Sequence, residues 1–106
     1  MRPTRFYSNK QEKHIAKAVS GKKVANSGAT PFNKGDVVTD SWLIECKTKT
    51  TESNSFSIKR EWLEKNKEEA FAMRKDYNAL VIDFGDGKQF YVIDEDTFLQ
   101  MKEALG

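Results

Sequence analysis

Residues 34–49 include two acids, Asp36 and Glu45, and one amine, Lys47, whose spacing is compatible with chemistry at a single site. Asp36 begins a short apolar run, and after a polar turn a second apolar run begins at Trp42 and leads into Glu45 and Lys47. Two such runs around a short polar turn predict a β-hairpin. Alternate side chains of a strand share a face, so Glu45 and Lys47 would point the same way. Asp36, on the antiparallel partner, can lie beside Glu45.

Two carboxylates next to one ammonium are suited to metal-assisted chemistry. The carboxylates supply the oxygen ligands that a hard divalent cation prefers, and the cation keeps positions open for water and a phosphate oxygen. The same residues are also compatible with a surface hairpin that carries a Glu/Lys pair on its solvated face, because charged side chains usually lie in solvent. The residue types alone leave both interpretations open.

The order of these residues resembles the PD-(D/E)xK nuclease signature. Here it reads Gly-Asp, an apolar run, and Glu-Cys-Lys, whose lysine begins the threonine-rich KTKTT, with "GD" in place of the literal "PD". More narrowly, NSGATPFNKGDVVTDSWLIECKTKTTESNSFSI is similar to the small phage and archaeal-type Holliday junction resolvases. The similarity extends from about residue 12 to residue 84.

This resemblance implies a Mg²⁺-dependent endonuclease, with Mn²⁺ as a possible substitute, that resolves four-way DNA junctions by symmetric cleavage as a homodimer. In the family pattern, Lys47 serves the attacking water and Ser27 touches the DNA backbone. The metal ligands would be Asp36, Glu45, the backbone carbonyl of Cys46, and Glu12. Two alternatives stay open: another nuclease of the superfamily, of repair or restriction type, or a non-catalytic DNA-binding module on the same fold.

Glu12 is also singled out by its position in the first predicted helix. Ile15, Ala16 and Val19 form an apolar stripe, and Glu12 falls on that stripe three and four residues before its first members. An acid on an inward face needs a partner. The alternative is a glutamate near a helix start, stabilised by the helix dipole and by nearby lysines.

Charge is distributed unevenly along the chain. The net charge is only +2, but eight Lys or Arg residues up to Gly35 face a single acid, Glu12. A basic segment on an acidic remainder predicts contact with a polyanion. The candidate DNA-binding side chains, besides Ser27, are Arg2, Arg5, Lys22, Lys23, Lys34 and Lys49.

Several other classes of function are disfavoured. No apolar stretch approaches the roughly 20 residues of a membrane span, so we expect a cytoplasmic protein without a membrane partner, in the host cytoplasm if phage-encoded. Gly28 is not followed by the Gly-Lys-Ser/Thr of a P-loop, so no nucleotide cofactor is expected. Cys46, the single cysteine, faces away from Glu45 and is expected to be a core thiol, and His14 is expected at the surface.

The pattern of elements predicts one α/β domain, residues 1–106, with a central mixed sheet flanked by helices in the order α-β-β-β-α-β-β-α. By resemblance this is the restriction-endonuclease-like core. Residues 1–8 read as a basic and aromatic arm, and the helix over residues 55 or 57 to 75 reads as scaffold. The remaining predicted elements are a helix from 8 or 9 to 20, a strand at 22–26, a loop at 26–35, and strands at 78–84 and 89–93. A last helix, 95–105, is expected to pack on the domain through residues among Phe98, Leu99, Met101 and Leu105.

Overall fold

The computed structural model describes residues 3–24 and 36–106. It contains a five-stranded mixed sheet whose strands lie side by side in the order in which they occur along the chain. The predicted α/β class, the flanking helices and the order of elements are confirmed. The elements are α1 (Thr4–Ala18), β1 (Lys22–Lys23), β2 (Asp36–Val38), β3 (Trp42–Thr48), α2 (Arg60–Ala72), β4 (Tyr77–Asp83), β5 (Gln89–Val92) and α3 (Glu95–Leu105).

The β2–β3 hairpin is closed by its turn. The Thr39 hydroxyl accepts hydrogen bonds from the backbone N–H of Ser41 (3.2 Å) and of Trp42 (3.0 Å), and the Thr39 N–H donates to the Trp42 carbonyl at 3.0 Å. A threonine side chain can satisfy backbone donors in this way at a turn. The turn fixes the antiparallel register, in which Asp36 lies opposite Glu45, as predicted.

The two faces of the sheet have different partners. On one face, α1 packs through Ile15 onto Val37, Ile44, Ala79 and Val81, which form the buried apolar core. Alternate positions of β3 point to the other face, which α2 covers. Since β3 and β4 are parallel, α2 is the crossover between them.

A pair of asparagines attaches α2 to its face of the sheet. Asn66 is 1% exposed, and its Oδ1 accepts a hydrogen bond from Nδ2 of Asn78 on β4 at 2.9 Å. Asn78 is the register partner of Leu43, which shares a face of β3 with Glu45 and Lys47. Helix α2 therefore lies over the side of the sheet that carries the candidate site.

Helix α1 begins earlier than the sequence pattern indicated. It starts at Thr4, with Pro3 as the preceding residue, so residues 4–8 of the expected arm are helical. Proline is tolerated at a helix start because the first N–H groups have no intrahelical acceptor. The prediction of an arm over residues 1–8 is therefore wrong for residues 4–8.

Helix α2 is shorter at both ends than expected. Before it, the Ser53 hydroxyl accepts from the Ser55 N–H at 3.2 Å, a local bond that favours a turn over a helix. At its end, Arg74 adopts a left-handed conformation (φ 59°), and the Lys75 N–H bonds to the Ala70 carbonyl at 2.8 Å. That closing bond ends the helix before residue 75.

Helix α3 starts where predicted, because the Asp94 side chain accepts a hydrogen bond from the Thr97 N–H at 2.9 Å. Its expected packing residues are exposed, however. Only Thr97 of α3 is buried, whereas Phe98, Leu99, Met101 and Leu105 are 44–88% exposed. No helix in the described part of the chain is both long and apolar enough to cross a membrane.

Candidate metal and phosphate site

The hairpin brings the two predicted carboxylates together. Asp36 and Glu45 are cross-strand partners, so their side chains lie on the same face of the sheet. They are only 1% and 6% exposed. Burial of two neighbouring carboxylates is unfavourable unless something compensates their charge.

Asp36 lacks such compensation from the described protein groups. Both of its carboxylate oxygens are buried, and neither has a hydrogen-bond partner within residues 3–24 and 36–106. Burial, followed by the negative charges of Glu45 and Glu69, raises the pKa of Asp36 to about 8. A cation bound at these oxygens would lower the pKa of Asp36 again, because it favours the ionised carboxylate.

Glu45 and Lys47 form the predicted pair on β3. Lys47 Nζ lies 3.8 Å from Glu45 Oε2, and its side chain is 34% exposed. Burial raises the pKa of Glu45, and the Lys47 ammonium acts in the opposite direction. The site therefore combines two buried acids with an amine that can reach solvent.

Glu12 and Cys46 lie on the side of the sheet that α1 covers. Glu12 is buried on α1, and its Oε1 pairs with Lys23 Nζ at 3.5 Å. The Cys46 side chain packs against the core beneath α1, as expected for a core thiol, and burial raises the pKa of the thiol well above its usual value. A thiol that resists ionisation is a poor nucleophile. The role of Glu12 in a metal shell stays a prediction.

The fit to a metal ion depends on two carboxylates. Among the described residues, no group of three or more His, Cys, Asp or Glu side chains is arranged to hold a metal ion. Mg²⁺ does not need such a group, since it usually keeps several waters and takes one or two protein carboxylates. Asp36, with its two buried oxygens, and Glu45 provide that minimum.

Glu69 is a member of the site that the sequence pattern missed. It is 7% exposed on α2, three residues after Asn66 and hence on the helix face turned to the sheet. Its negative charge raises the pKa of both Asp36 and Glu45, and it acts on Asp36 more strongly than Glu12 does. Lys65 Nζ lies 4.0 Å from Glu69 Oε1. The sequence signal that could have found Glu69 is its position next to Ala70, a small apolar residue that is also buried on α2.

The candidate DNA-binding residues in the described part of the chain are divided between the two faces of the sheet. Lys22 is the register partner of Val38, so it shares the sheet face of Asp36, whereas Lys23 points to the α1 side. Lys49 directly follows β3, and Arg5 is exposed on α1. Arg2, Ser27 and Lys34 lie outside the described residues.

A cleft of about 640 Å³ opens between the end of β3 and α2. Its inner wall carries the Glu45–Lys47 pair, and its outer wall, formed by α2, is mostly acidic. A polyanion would therefore meet less repulsion from the β1 side than across α2. The lining residues are Glu45, Cys46, Lys47, Glu61, Trp62, Glu64, Lys65 and Glu68.

Comparison of the chain with protein-family models, with curated proteins and with solved structures found no match.

Proposed function

We propose that this protein is a metal-dependent DNA endonuclease of the PD-(D/E)xK type, built on the restriction-endonuclease-like core. The observation that carries the proposal is the pairing of Asp36 with Glu45. It sets an unbonded, buried carboxylate beside a second carboxylate, and the Lys47 ammonium lies 3.8 Å from the latter. Two acids on one face of a hairpin would hold a cation that activates water toward a phosphodiester, and the amine would contact that water or the phosphate.

In this proposal Asp36 and Glu45 would hold Mg²⁺ or Mn²⁺, with the Cys46 carbonyl and Glu12 as the further ligands that the family pattern implies. The bound cation would lower the pKa of a coordinated water and offset negative charge on the phosphate. Lys47 has the more exposed side chain of the Glu45–Lys47 pair, so its ammonium can donate to water and to a phosphate oxygen from the solvent side.

The proposed substrate is a four-way DNA junction, cleaved symmetrically by a homodimer, as the resemblance implies. DNA would approach over Lys22 and Lys49, away from the acidic outer wall of α2. A backbone held mainly by lysines gives binding that weakens steeply with salt.

Cleavage of a synthetic four-way junction tests the function. With Mg²⁺ we expect the wild-type protein to introduce paired nicks, and Glu45→Gln to lower the rate by about a hundredfold or more, since the amide removes a carboxylate ligand. Glu64→Gln is the matched control, because Glu64 lines the same cleft from its acidic outer wall.

Parallel assays on a flap and on linear duplex separate the alternatives. Faster cleavage of flap or duplex than of the junction would indicate a repair or restriction-type nuclease. Binding without cleavage under any divalent cation, with little effect of Asp36→Asn, would indicate a non-catalytic DNA-binding module and contradict the proposal.

A further inference from the structure

Lys47 is held from both sides of the sheet. Its backbone carbonyl accepts a hydrogen bond from Nε2 of Gln11 on α1 at 2.8 Å. On the other side its ammonium lies 4.5 Å from the centre of the Trp62 ring on α2 and 3.8 Å from Glu45 Oε2. The backbone contact fixes the strand, so the position of the amine depends on Glu45 and Trp62.

Trp62 is carried by a helix that is attached to the sheet. Trp62 lies one helical turn before Asn66, on the same side of α2, and the bond from Asn66 to Asn78 attaches that side to the sheet. The backbone that carries the ring is therefore held to the sheet independently of Lys47. Lys59 Nζ also faces this ring, but at a longer distance of 5.7 Å.

An aromatic face and a carboxylate hold an amine in different ways. A carboxylate accepts N–H bonds and draws the ammonium into the ion pair, whereas an aromatic face attracts the positive charge through its quadrupole. Trp62 can thus hold the Lys47 ammonium without a carboxylate occupying its donors. N–H groups then stay available for water and a phosphate oxygen.

We propose that Trp62 is a positioning residue that holds the Lys47 ammonium above the cleft in the geometry that phosphodiester cleavage requires. This inference rests on the proposed nuclease function for its role in catalysis. The geometric part, the placement of the amine over the ring, can be tested in the protein without metal or DNA.

The geometric test uses NMR of lysine side chains in the metal-free protein. The Cε protons of Lys47 should resonate upfield of those of solvent-exposed lysines, because they lie over an aromatic ring. We expect Trp62→Leu to abolish that shift and Trp62→Phe to keep most of it. An unshifted Lys47 signal in the wild type, or a shift that survives in Trp62→Leu, would overturn the inference.

The functional test is single-turnover cleavage of the four-way junction, with DNA affinity measured separately. Trp62→Leu should lower the cleavage rate about tenfold, as expected for losing a partly desolvated cation–π contact, and should leave affinity within about twofold. Trp62→Phe should recover most of the rate. A weaker affinity with an unchanged rate would instead make Trp62 a DNA contact and overturn the positioning role.

Phe56→Leu is the matched control. Lys49 Nζ lies 5.4 Å from the Phe56 ring, a second lysine–aromatic contact outside the acid pair. This variant should leave the cleavage rate within about twofold of wild type. A loss as large as that of Trp62→Leu would overturn the inference. If the wild type cleaves no DNA, the nuclease proposal fails, while the NMR result still decides whether Trp62 holds the amine.

Discussion

Two aspartates are buried in the same sheet with opposite surroundings. Asp83, at the end of β4, is 7% exposed, and its Oδ1 accepts hydrogen bonds from the backbone N–H of Gly85 (2.8 Å) and Gly87 (3.0 Å). Its Oδ2 accepts from Gln89 Nε2 at 2.7 Å. Asp36, at the start of β2, has no hydrogen-bond donor to either oxygen from the described residues.

The surroundings of Asp83 are those of a structural acid. Gly85 and Gly87 have φ values of 99° and 87°, which place their N–H groups toward the carboxylate in a turn that other residues adopt only with strain. A Cβ on Gly85 would also lie 2.5 Å from the Thr51 carbonyl oxygen. The turn thus supplies the donors that offset burial of Asp83.

Asp36 lacks those donors, and its nearest charges include the acids Glu45 and Glu69. A fold that leaves a buried carboxylate in this state gives up stability at that point. The contrast teaches that burial alone does not distinguish a structural acid from a functional one. The hydrogen-bond donors around each carboxylate separate the two aspartates, and the lack of described donors to Asp36 supports its place in the proposed site.

The largest expected difference between the two acids is in the pH dependence of stability. The folded-state pKa of Asp36 is about 8, whereas its ordinary value is 3.8. Between these values the folded protein keeps a proton that the unfolded chain has lost, so the free energy of unfolding falls as pH rises. From pH 5 to pH 8 the loss should be about 4 kcal/mol relative to Asp36→Asn. Urea unfolding in EDTA at several pH values measures it.

Mg²⁺ provides the control for that experiment. At pH 8 it should recover about 1.4 kcal/mol in the wild type when present at ten times its dissociation constant, because it binds the folded state only. It should recover nothing in Asp36→Asn. Parallel pH profiles for wild type and variant would show that the pKa of Asp36 is not raised in the folded protein, and would remove the basis for the proposed site.

A smaller loss of stability is expected from Asp83→Asn. The amide keeps one oxygen for the glycine N–H groups but turns an NH₂ group toward Gln89 Nε2, so a donor faces a donor. Loss of charge and of that bond should lower the free energy of unfolding by about 2 kcal/mol. Urea unfolding at pH 7 checks this, and the stabilisation by Mg²⁺ should be the same as in wild type. A variant as stable as the wild type would contradict the structural role of Asp83.

The pairing of Asp36 with Glu45 was predictable because it depends on local rules. The two-residue period of a strand and a short polar turn set which side chains share a face, and the register confirms the result. The buried run of β4 and the Asp94 cap of α3 were predictable for the same reason.

The features that could not be predicted depend on how distant elements pack. Glu69 influences the acids from the face of the crossover helix that the bond between Asn66 and Asn78 attaches to the sheet. The apolar side chains of α3 read as core, yet they are exposed, since the described sheet does not cover them. Neither result follows from the spacing of residues within one element.

Of these variants, Gln89→Leu should lower the free energy of unfolding least. It also gives the sharpest test of the contrast between Asp83 and Asp36. Gln89 donates to Asp83 Oδ2 and accepts from Nε2 of Gln11 at 3.1 Å, and the same Gln11 nitrogen also binds the carbonyl of Lys47. The polar network of the structural acid therefore extends to the backbone of the site. Because Asp83 keeps both glycine donors and Gln11 keeps its bond to Lys47, the loss should be about 1 kcal/mol, measured by urea unfolding.

The double variant Asp83→Asn/Gln89→Leu should be less destabilised than the sum of the single losses, since both remove the same bond. The stabilisation by Mg²⁺ should be unchanged in Gln89→Leu, because the hydrogen bonds of the described residues link Gln89 to Lys47 through Gln11 and not to Asp36 or Glu45 directly. If Gln89→Leu abolished the response to Mg²⁺, the network of Asp83 would belong to the site. The distinction between a structural and a functional aspartate would then not hold in this molecule.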